Sequence, residues 1–367
     1  MLTDKKTLRN RIAKVFKATK GLRNILIVNT SSEDPNFIYM TDLLGGLFEG
    51  SLLLVSDSAV TLFTSPLEYE LAKEQLRNGI KIVNLDRKEK VELLVKALKG
   101  KTVGINGSFV PYETYRHLKK RLKVKGFVDV SAAFEKARQV KDAQEIRRIK
   151  NANRITKKAI ADTQKALKVG MTEKEAAALF DSLILKHGAD GTSFPSIVCF
   201  GRNAALPHHS PDRTKLRYGD FVLIDVGVKL DNYCSDVTRT MIFGTDKSRI
   251  KDYNKKVQIL KTVKDAQSLA IKSIKEGQIG EKPHLIAERH INSVDNGRYK
   301  GTFIHSLGHS IGIEVHDGSG RFLTPGSKLV LKPGMLTSVE PGIYIPGFGG
   351  ARFEDDIVVT RNGAIVL

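Results

Sequence analysis

The segment from Phe221 to Phe243, FVLIDVGVKLDNYCSDVTRTMIF, constrains the fold more than any other part of this 367-residue chain. A Val/Leu/Ile-rich run precedes the turn-forming letters LDN, and β-branched residues resume after them, which predicts a β-hairpin. With the turn centred between Leu230 and Asp231, Asp225 and Asp236 become cross-strand partners on one face. Two such carboxylates repel, and a buried charge is costly. The hairpin therefore predicts either a protonated carboxyl or a cation between the two aspartates.

A second pair of acidic residues shows the same pattern near the C-terminus. Segments 336–345 and 351–360 predict two strands around a glycine-rich turn, with Glu340 and Glu354 equidistant from Gly347. Between the two hairpins, the segment FIHSLGHSIGIEVHD holds three histidines. We therefore expect two halves related by a pseudo-twofold axis. This arrangement would bring the two hairpins together, with four carboxylates and at least one histidine in one site.

Four carboxylates cannot share an interior as anions alone, so the pattern indicates bound cations. An oxygen-dominated site with a single imidazole suits Mn²⁺, Co²⁺ or Fe²⁺ better than a closed thiolate zinc site does. The four acids carry enough charge for two divalent ions. Such a pair acts as a Lewis acid and activates water at neutral pH, as in two-metal aminopeptidases.

The composition excludes several classes of protein. A chain of 367 residues suggests two domains, and 41% hydrophobic with 27% charged residues is typical of a globular protein. No apolar run approaches 18 residues and the basic N-terminus lacks an apolar signal region, so we expect neither a membrane span nor secretion. Two cysteines make no disulfide framework, which favours a reducing cytoplasm.

The net charge of +20 raises the question of nucleic-acid binding. Lysine and arginine cluster in residues 5–23, 119–125 and 136–158. These stretches lack interleaved aromatic residues, and the chain has no helix-turn-helix, zinc-finger or RRM signature. We interpret the clusters as solvated helix faces and expect no specific nucleic-acid binding.

The first domain, residues 1–133, is predicted to be an α/β layer with a largely parallel sheet. Strands are expected at 25–28, 80–85, 101–105 and 127–130, a hairpin at 51–64, and helices at 66–76, 90–99 and 111–122. No phosphate-binding glycine loop is present, and the domain shows no catalytic constellation. The boundary with the second domain, residues 134–367, is marked by one charged helix predicted over 133–167. Thr172 with Glu175 predicts a capping box on the next helix.

These residues resemble the M24 metallopeptidases, and within them the proline-specific Xaa-Pro aminopeptidases and Xaa-Pro dipeptidases (prolidases). The resemblance covers nearly the whole chain. It implies an α/β creatinase-like N-terminal domain and an α+β catalytic domain with the pita-bread fold. It also implies five metal ligands, carried by the motifs IDVG, YCSDVTRT, HSLGHSIG, VEPGIY and ARFEDD: Asp225, Asp236, His309, Glu340 and Glu354.

The resemblance implies further roles around the metals. His208 in ALPHH and His316 in EVHD match histidines that hold the tetrahedral intermediate. His305 matches a residue of the proline-side pocket. Arg352 matches an arginine that supports the ligand carboxylates or the substrate terminus. Glu340 would also relay a proton from the attacking water to the proline nitrogen.

Several neighbouring residues receive their own interpretation. Ser306 and Ser310 stand where the family commonly has glycine. His209 is expected to face solvent, and Cys234 is expected to be a packed small hydrophobe and not a ligand. Arg321 is either a solvated side chain or a partner for a substrate carboxylate.

The predicted function is hydrolysis of the Xaa-Pro bond at the N-terminus of peptides with proline in second position. Because that amide has no N–H, proteases that require one there are excluded. An Xaa-Pro dipeptidase is the alternative, followed by a non-catalytic M24-like binding protein. A methionine aminopeptidase is disfavoured by the large N-terminal domain and by the ALPHH and EVHD contexts. We expect two divalent ions, preferably Mn²⁺ with Co²⁺, Zn²⁺ or Fe²⁺ as alternatives, and a homodimer in the cytoplasm.

Overall fold

The computed structural model describes residues 3–19, 21–31, 33–76, 78–84, 87–318 and 322–367. The chain divides into two compact units, Met1–Gln139 and Val140–Leu367. The predicted domain boundary after Ala133 falls inside a helix, Ser131–Gln139, six residues before this division. Within the described ranges, no helix combines the length and the apolar character needed to cross a membrane.

The first unit is built on one six-stranded sheet with the order β4-β3-β2-β1-β5-β6. Its strands are β1 Asn24–Val28, β2 Leu52–Ser56, β3 Val60–Thr64, β4 Lys81–Asn84, β5 Thr102–Ile105 and β6 Gly126–Asp129. Three neighbouring pairs are parallel, whereas β1–β2 and β2–β3 are antiparallel. The predicted α/β layer is confirmed, most of its strand pairs are parallel as expected, and the antiparallel pair β2–β3 is the predicted hairpin. A three-residue connection between β2 and β3 has no room for a crossover helix, so these strands must run in opposite directions.

Six helices accompany this sheet in the described residues: α1 Lys5–Ala18, α2 Pro35–Thr41, α3 Pro66–Gln75, α4 Arg87–Leu98, α5 Tyr112–Arg121 and α6 Ser131–Gln139. The buried residues Leu94 and Leu98 of α4 pack with Leu26 of β1 and Val103 of β5. Burial of this apolar surface holds the layer together.

The predicted single helix over 133–167 is wrong, because two helices occupy this range. After α6, the helix α7 spans Ala143–Ala166 and begins at its N-cap, Asp142. The Asp142 carboxylate accepts hydrogen bonds from the N–H groups of Gln144 and Glu145, while the Glu145 carboxylate accepts one from Asp142 N–H. This capping box, which was not predicted, marks the start of a separate helix. The predicted box, Thr172 with Glu175, is confirmed at the start of α8, Glu173–Lys186.

The second unit contains short sheets and two further helices, α9 Tyr253–Ser273 and α10 Glu281–Ser293. The sheets have the orders β12-β9-β8, β11-β10-β7, β13-β16-β17 and β14-β15. Their strands are β7 Gly191–Thr192, β8 Ile197–Phe200, β9 Phe221–Val226, β10 Val228–Leu230, β11 Tyr233–Cys234, β12 Val237–Ile242, β13 Leu336–Val339, β14 Gly342–Ile345, β15 Gly349–Arg352, β16 Asp355–Val359 and β17 Ala364–Val366.

Strand β9 is buried on both faces, which explains its nearly continuous apolar run. Val222 and Ile224 belong to a core with α7 and α8. Phe221 and Leu223 belong to a core with α9, α10 and the C-terminal strands. Because side chains alternate along a strand, Asp225 shares the second face and is directed toward the C-terminal strands.

The turn of the aspartate hairpin is shifted by one residue from the prediction, which moves the strand pairing by two positions. Asp225 pairs with Thr238 instead of Asp236. The turn is centred between Asp231 and Asn232, whose φ values of +48° and +69° are those of a type I′ turn. Asp236 precedes Thr238 by two residues and lies just before β12, so the two aspartates are diagonal neighbours and not a facing pair.

The register of the C-terminal hairpin agrees with the prediction. Val339 pairs with Asp355, and Gly342 pairs with Arg352. Both pairs are symmetric about Gly347, so Glu340 and Glu354 occupy facing positions between the two short ladders.

Candidate metal centre

One cavity of about 480 Å³ in the second unit brings all the predicted site residues together. These residues come from strand β9, the position before β12, the position after β13, the end of β15, its junction with β16, and loops. The cavity lining includes Asp225, Asp236, His309, Glu340, Glu354, His208, His305, His316 and Arg352.

His309 has the geometry of a metal ligand. Its Nδ1 lies 3.3 Å from the carbonyl oxygen of Ser310, so Nδ1–H donates there and Nε2 keeps its lone pair. Nε2 lies 3.5 Å from Asp236 Oδ2 and 3.4 Å from Glu340 Oε1. Burial, and secondarily the neighbouring His316, lowers the pKa of His309 to about 3. The imidazole is therefore neutral at pH 7, as metal binding requires.

Three carboxyl groups of the cavity, those of Asp236, Glu340 and Glu354, have raised pKa values. Burial, followed by the charge of neighbouring carboxylates, raises the pKa values of Asp236 and Glu354 well above their usual range. Burial raises the pKa of Glu340 to about 8 against the opposing effect of Arg352. Without a cation these groups retain protons near neutrality. A divalent ion reverses that balance because it favours the charged forms.

Unpaired oxygens show that the residues fit a metal. Asp225 Oδ1, Asp236 Oδ1 and Glu354 Oε1 are buried and have no hydrogen-bond partner among the described residues. The opposite oxygens of two of them are held, since Arg352 donates to Asp225 Oδ2 and Thr238 Oγ1 donates to Glu354 Oε2 at 2.7 Å. Ligand atoms of Asp236, His309 and Glu354 lie within 4.8 Å of one another. Buried carboxylate oxygens without donors are costly unless a cation binds them.

The sequence did not predict the residues that form hydrogen bonds around these side chains. Asp356 Oδ2 accepts hydrogen bonds from Asp236 N–H at 3.0 Å and from Asn153 at 2.7 Å. Ser338 Oγ accepts one from His309 N–H at 3.1 Å and donates to Glu340 Oε1 at 3.2 Å. The alternation of Glu354 and Asp356 along one strand was an available signal for Asp356. Nothing in the local pattern identified Asn153 or Ser338.

Arg352 is buried and joins the ligand carboxylates to a tyrosine. Its guanidinium donates to Asp225, to the Tyr344 hydroxyl at 2.7 Å and to Thr238 Oγ1 at 3.0 Å. His305 Nε2 lies 2.8 Å from the same Tyr344 hydroxyl. Tyr344, which the sequence interpretation missed, thus connects Arg352 to His305.

Other predicted positions have mixed outcomes. His208 and His316 are exposed at the cavity, but the expectation that His209 faces solvent is wrong. The His209 side chain is only 13% exposed, and its Nε2 lies 2.8 Å from a buried carboxylate oxygen of Glu173. Cys234 is packed as predicted, and burial raises the pKa of its thiol to about 12. Arg321 lies outside the described residues.

The serines at the glycine-like positions differ in environment. Ser306 lines the cavity, and its hydroxyl donates to Thr324 Oγ1 at 2.9 Å. Ser310 is buried, and its Oγ accepts a hydrogen bond from the buried Lys141 at 3.2 Å. Lys141 is also ion-paired with Asp317 at 2.9 Å, which anchors the segment between His309 and His316.

A second cluster of potential ligand atoms, formed by Glu173, His209 and Asp212, has a different character. The two oxygens of Glu173 accept four hydrogen bonds, from Phe200 N–H, Asn203, His209 and Asp212 N–H, at 2.7–3.1 Å. Its carboxylate is satisfied by protein donors, unlike those of the cavity. This cluster therefore serves the structure of the loop.

The chain is similar to known proteins over most of its length. Residues 147–361 match metallopeptidase family M24, and residues 11–140 match the creatinase/prolidase N-terminal domain. The Xaa-Pro dipeptidase of Pyrococcus horikoshii is 34% identical over 334 residues, covering 91% of this chain and 90% of that protein.

Solved structures give the same result. The X-Pro aminopeptidase of Thermotoga maritima superposes with a TM-score of 0.86 at 30% identity, covering 95% of this chain and 96% of that one. The Xaa-Pro dipeptidase of Bacillus anthracis has a TM-score of 0.86 at 31% identity, covering 98% and 97%. The chain therefore belongs to metallopeptidase family M24, with a creatinase-like N-terminal domain before a pita-bread metallopeptidase domain.

Proposed function

We propose that this protein hydrolyses the bond between the first residue of a peptide and a proline in second position, as an Xaa-Pro aminopeptidase. The observation that carries the proposal is one cavity that holds a neutral imidazole and three buried carboxylate oxygens with no hydrogen-bond partner in the described part of the chain. The proposed metal ligands are Asp225, Asp236, His309, Glu340 and Glu354. Similarity to proteins named X-Pro aminopeptidase and Xaa-Pro dipeptidase supports the substrate class.

The ligand set suits two divalent ions, for which we propose Mn²⁺, with Co²⁺, Zn²⁺ or Fe²⁺ as alternatives. When bound, such a pair supplies a Lewis acid and an activated water nucleophile. Glu340 is the proton carrier of the protein itself. Its Oε1 lies among the ligand atoms, 3.4 Å from His309 Nε2, and its Oε2 lies 3.9 Å from His305 Nδ1. From there it accepts a proton from the attacking water and returns it to the proline nitrogen.

Histidines at the cavity stabilise the charge that develops on the carbonyl oxygen. Burial lowers the pKa of His316, so its imidazole is neutral at pH 7 and keeps one N–H to donate. We assign this donation to His208 and His316. His305 contributes to the proline pocket, and Arg352 supports the Asp225 carboxylate that it contacts.

The space next to the cavity affects how long a peptide substrate the protein accepts. A second space of about 600 Å³ adjoins the cavity beside His208 and His305. Its rim carries Leu206 and Ile304, which are 53% and 63% exposed. Apolar side chains in this position favour contact with a residue beyond the proline, which supports an aminopeptidase over a dipeptidase. The similarity to named dipeptidases keeps the second activity as the alternative.

One experiment tests the function and separates the alternatives. Metal-stripped protein is incubated with Mn²⁺, Co²⁺ or Zn²⁺ and offered Xaa-Pro dipeptides, Xaa-Pro-Xaa tripeptides and Met-Ala peptides. We expect Mn²⁺-dependent cleavage of the tripeptides. Cleavage of dipeptides alone identifies a prolidase, and cleavage of Met-Ala alone identifies a methionine aminopeptidase. No hydrolysis with any metal favours a non-catalytic binding protein.

Variants of the ligands complete the test. Asp236→Ala and Glu354→Ala should each abolish turnover by losing metal. Asp355→Asn is the matched control, because Asp355 neighbours Glu354 but pairs with Lys157 and Arg239 at 2.7 Å. Full activity with unchanged metal content in either alanine variant contradicts the assignment.

We further propose a cytoplasmic homodimer without specific nucleic-acid binding. Its basic surface then acts through charge alone, so any adhesion to nucleic acid weakens steeply with salt. Light scattering measures the oligomeric state directly.

A further inference from the structure

His208 depends on its loop for its position. Its side chain is exposed at the cavity, and none of the hydrogen bonds among the described residues is made by its imidazole. His208 lies in a tight turn that His209 N–H closes by donating to the Leu206 carbonyl at 3.2 Å. Whatever holds this turn therefore sets the direction in which the His208 imidazole is presented.

The turn is held from behind by Glu173, the first residue of α8. The Glu173 side chain is 0% exposed, and Oε1 accepts hydrogen bonds from Phe200 N–H at 2.7 Å and Asn203 at 3.0 Å. Phe200 precedes the 3₁₀ turn Gly201–Ala205 and Asn203 lies within it, and this turn leads into the His208 turn. Oε2 accepts from Asp212 N–H at 3.1 Å, on the far side of the same loop. One buried carboxylate thus gathers both ends of the loop.

His209 connects this carboxylate to the turn itself. Its Nε2 lies 2.8 Å from Glu173 Oε2, and its side chain is 13% exposed. On the cavity side, Arg352 donates to the Pro207 carbonyl at 3.4 Å. The residues on either side of His208 are therefore each tied to a buried charged group, whereas His208 itself is left to face the cavity.

We infer that Glu173 and His209 are positioning residues that aim His208 at the reacting carbonyl. The inference rests on the proposed function, in which His208 donates a hydrogen bond to the developing oxyanion. Such a donor must lie within a few tenths of an ångström of its target, because hydrogen bonds weaken steeply with misalignment. If the contact between His209 and Glu173 is lost, His208 is still present, but its imidazole no longer points at the reacting carbonyl.

A double-mutant cycle tests this coupling on metal-loaded, full-length protein with an Xaa-Pro-Xaa substrate. His208→Ala removes the donor and should lower kcat by roughly 100-fold. His209→Leu removes the anchor and should lower kcat by about 10-fold, with a smaller change in KM and unchanged metal content. In the His208→Ala background, His209→Leu should have no further effect on kcat, because no imidazole is left to misplace.

Two further variants sharpen the result. His209→Gln retains a donor toward Glu173 and should recover most of the lost kcat. If the leucine variant does not fold, His209→Asn, which is too short to reach Glu173, gives the same comparison. His187→Leu is the matched control, because His187 forms a similar pair with Asp162 at 3.1 Å outside the cavity lining and should leave kcat unchanged.

The outcomes separate the two proposals. Equal losses of kcat from His209→Leu with and without His208 overturn the positioning role. A lower melting temperature with normal kcat also overturns it, since His209 is then only structural. An inactive wild-type protein, by contrast, refutes the proposed function itself.

Discussion

At the scale of single residues, Thr238 connects two of the proposed metal ligands. Its hydroxyl donates to Glu354 Oε2 at 2.7 Å and accepts from Arg352 Nε at 3.0 Å. One small side chain therefore links the Glu354 carboxylate to the arginine that donates to Asp225. Because Thr238 also pairs with Asp225 across the strands, it lies at the junction of both acidic hairpins.

Thr238→Val is predicted to weaken metal binding while preserving the fold, because valine has nearly the same shape but no hydroxyl. The loss of such an outer contact typically reduces metal affinity by about 10- to 100-fold. Competition titration with a chromophoric chelator measures this change, and Thr238→Ser should retain nearly full affinity. An unchanged affinity in the valine variant rules out an orienting role for the hydroxyl.

At the scale of elements, strand β13 fixes the histidine loop. The His309 carbonyl accepts hydrogen bonds from Ser338 N–H at 2.9 Å and from Thr337 Oγ1 at 2.8 Å. Gly308 lies so close to this strand that a Cβ atom there would be 1.9 Å from the Ser338 carbonyl oxygen. The loop can approach β13 only because residue 308 has no side chain.

Gly308→Ala is predicted to displace the His309 loop from β13. We expect a loss of about 1–3 kcal/mol in the free energy of unfolding, as for other overpacked sites, together with reduced metal content. Urea denaturation and metal analysis measure the two effects. Gly363→Ala is the control, because a Cβ at Gly363 meets no atom within 4 Å. A fully stable, metal-loaded Gly308→Ala protein disproves the close packing.

At the scale of the whole molecule, metal binding and pH are linked through the buried acids. Burial raises the pKa of Glu340 to about 8 and that of Asp356 to about 7 in the metal-free protein. Their pKa values in the unfolded chain are lower, so the folded state binds these protons more tightly. The stabilisation is complete below the unfolded values and is lost as pH rises through the folded values.

Burial lowers the pKa values of His305 and His309, which offsets this loss until the unfolded chain has also lost its histidine protons near pH 6.5. The metal-stripped protein should therefore lose stability as pH rises from about 6.5 to about 8, on the order of 1.4 kcal/mol for each unit of pKa difference in that window. Added metal should remove most of this loss, because it stabilises the ionised carboxylates. Melting temperatures of chelator-treated and Mn²⁺-loaded protein across this range measure the effect. A metal-free protein that becomes more stable over the same range contradicts it.

Local patterns were sufficient for much of the fold. Alternating runs located the strands, and the spacing around Gly347 predicted the facing positions of Glu340 and Glu354 that the register shows. The helix over 133–167 was predicted as one element, although its residues spaced three and four apart begin only at Ile146. Asp142 followed three residues later by Glu145 is the local pattern of a capping box, and it marks the start of a second helix that the prediction did not separate.

The sequence by itself determined which residues are available for the metal centre, because the acids and histidines lie in short motifs that can be read without the fold. Their role as ligands stays a prediction. Only the tertiary structure decided the diagonal placement of Asp225 and Asp236, which depends on a turn shifted by one residue. It alone revealed that His209 is buried against Glu173, residues 36 positions apart in the chain. Burial and hydrogen bonding at such separations depend on packing, which no local pattern encodes.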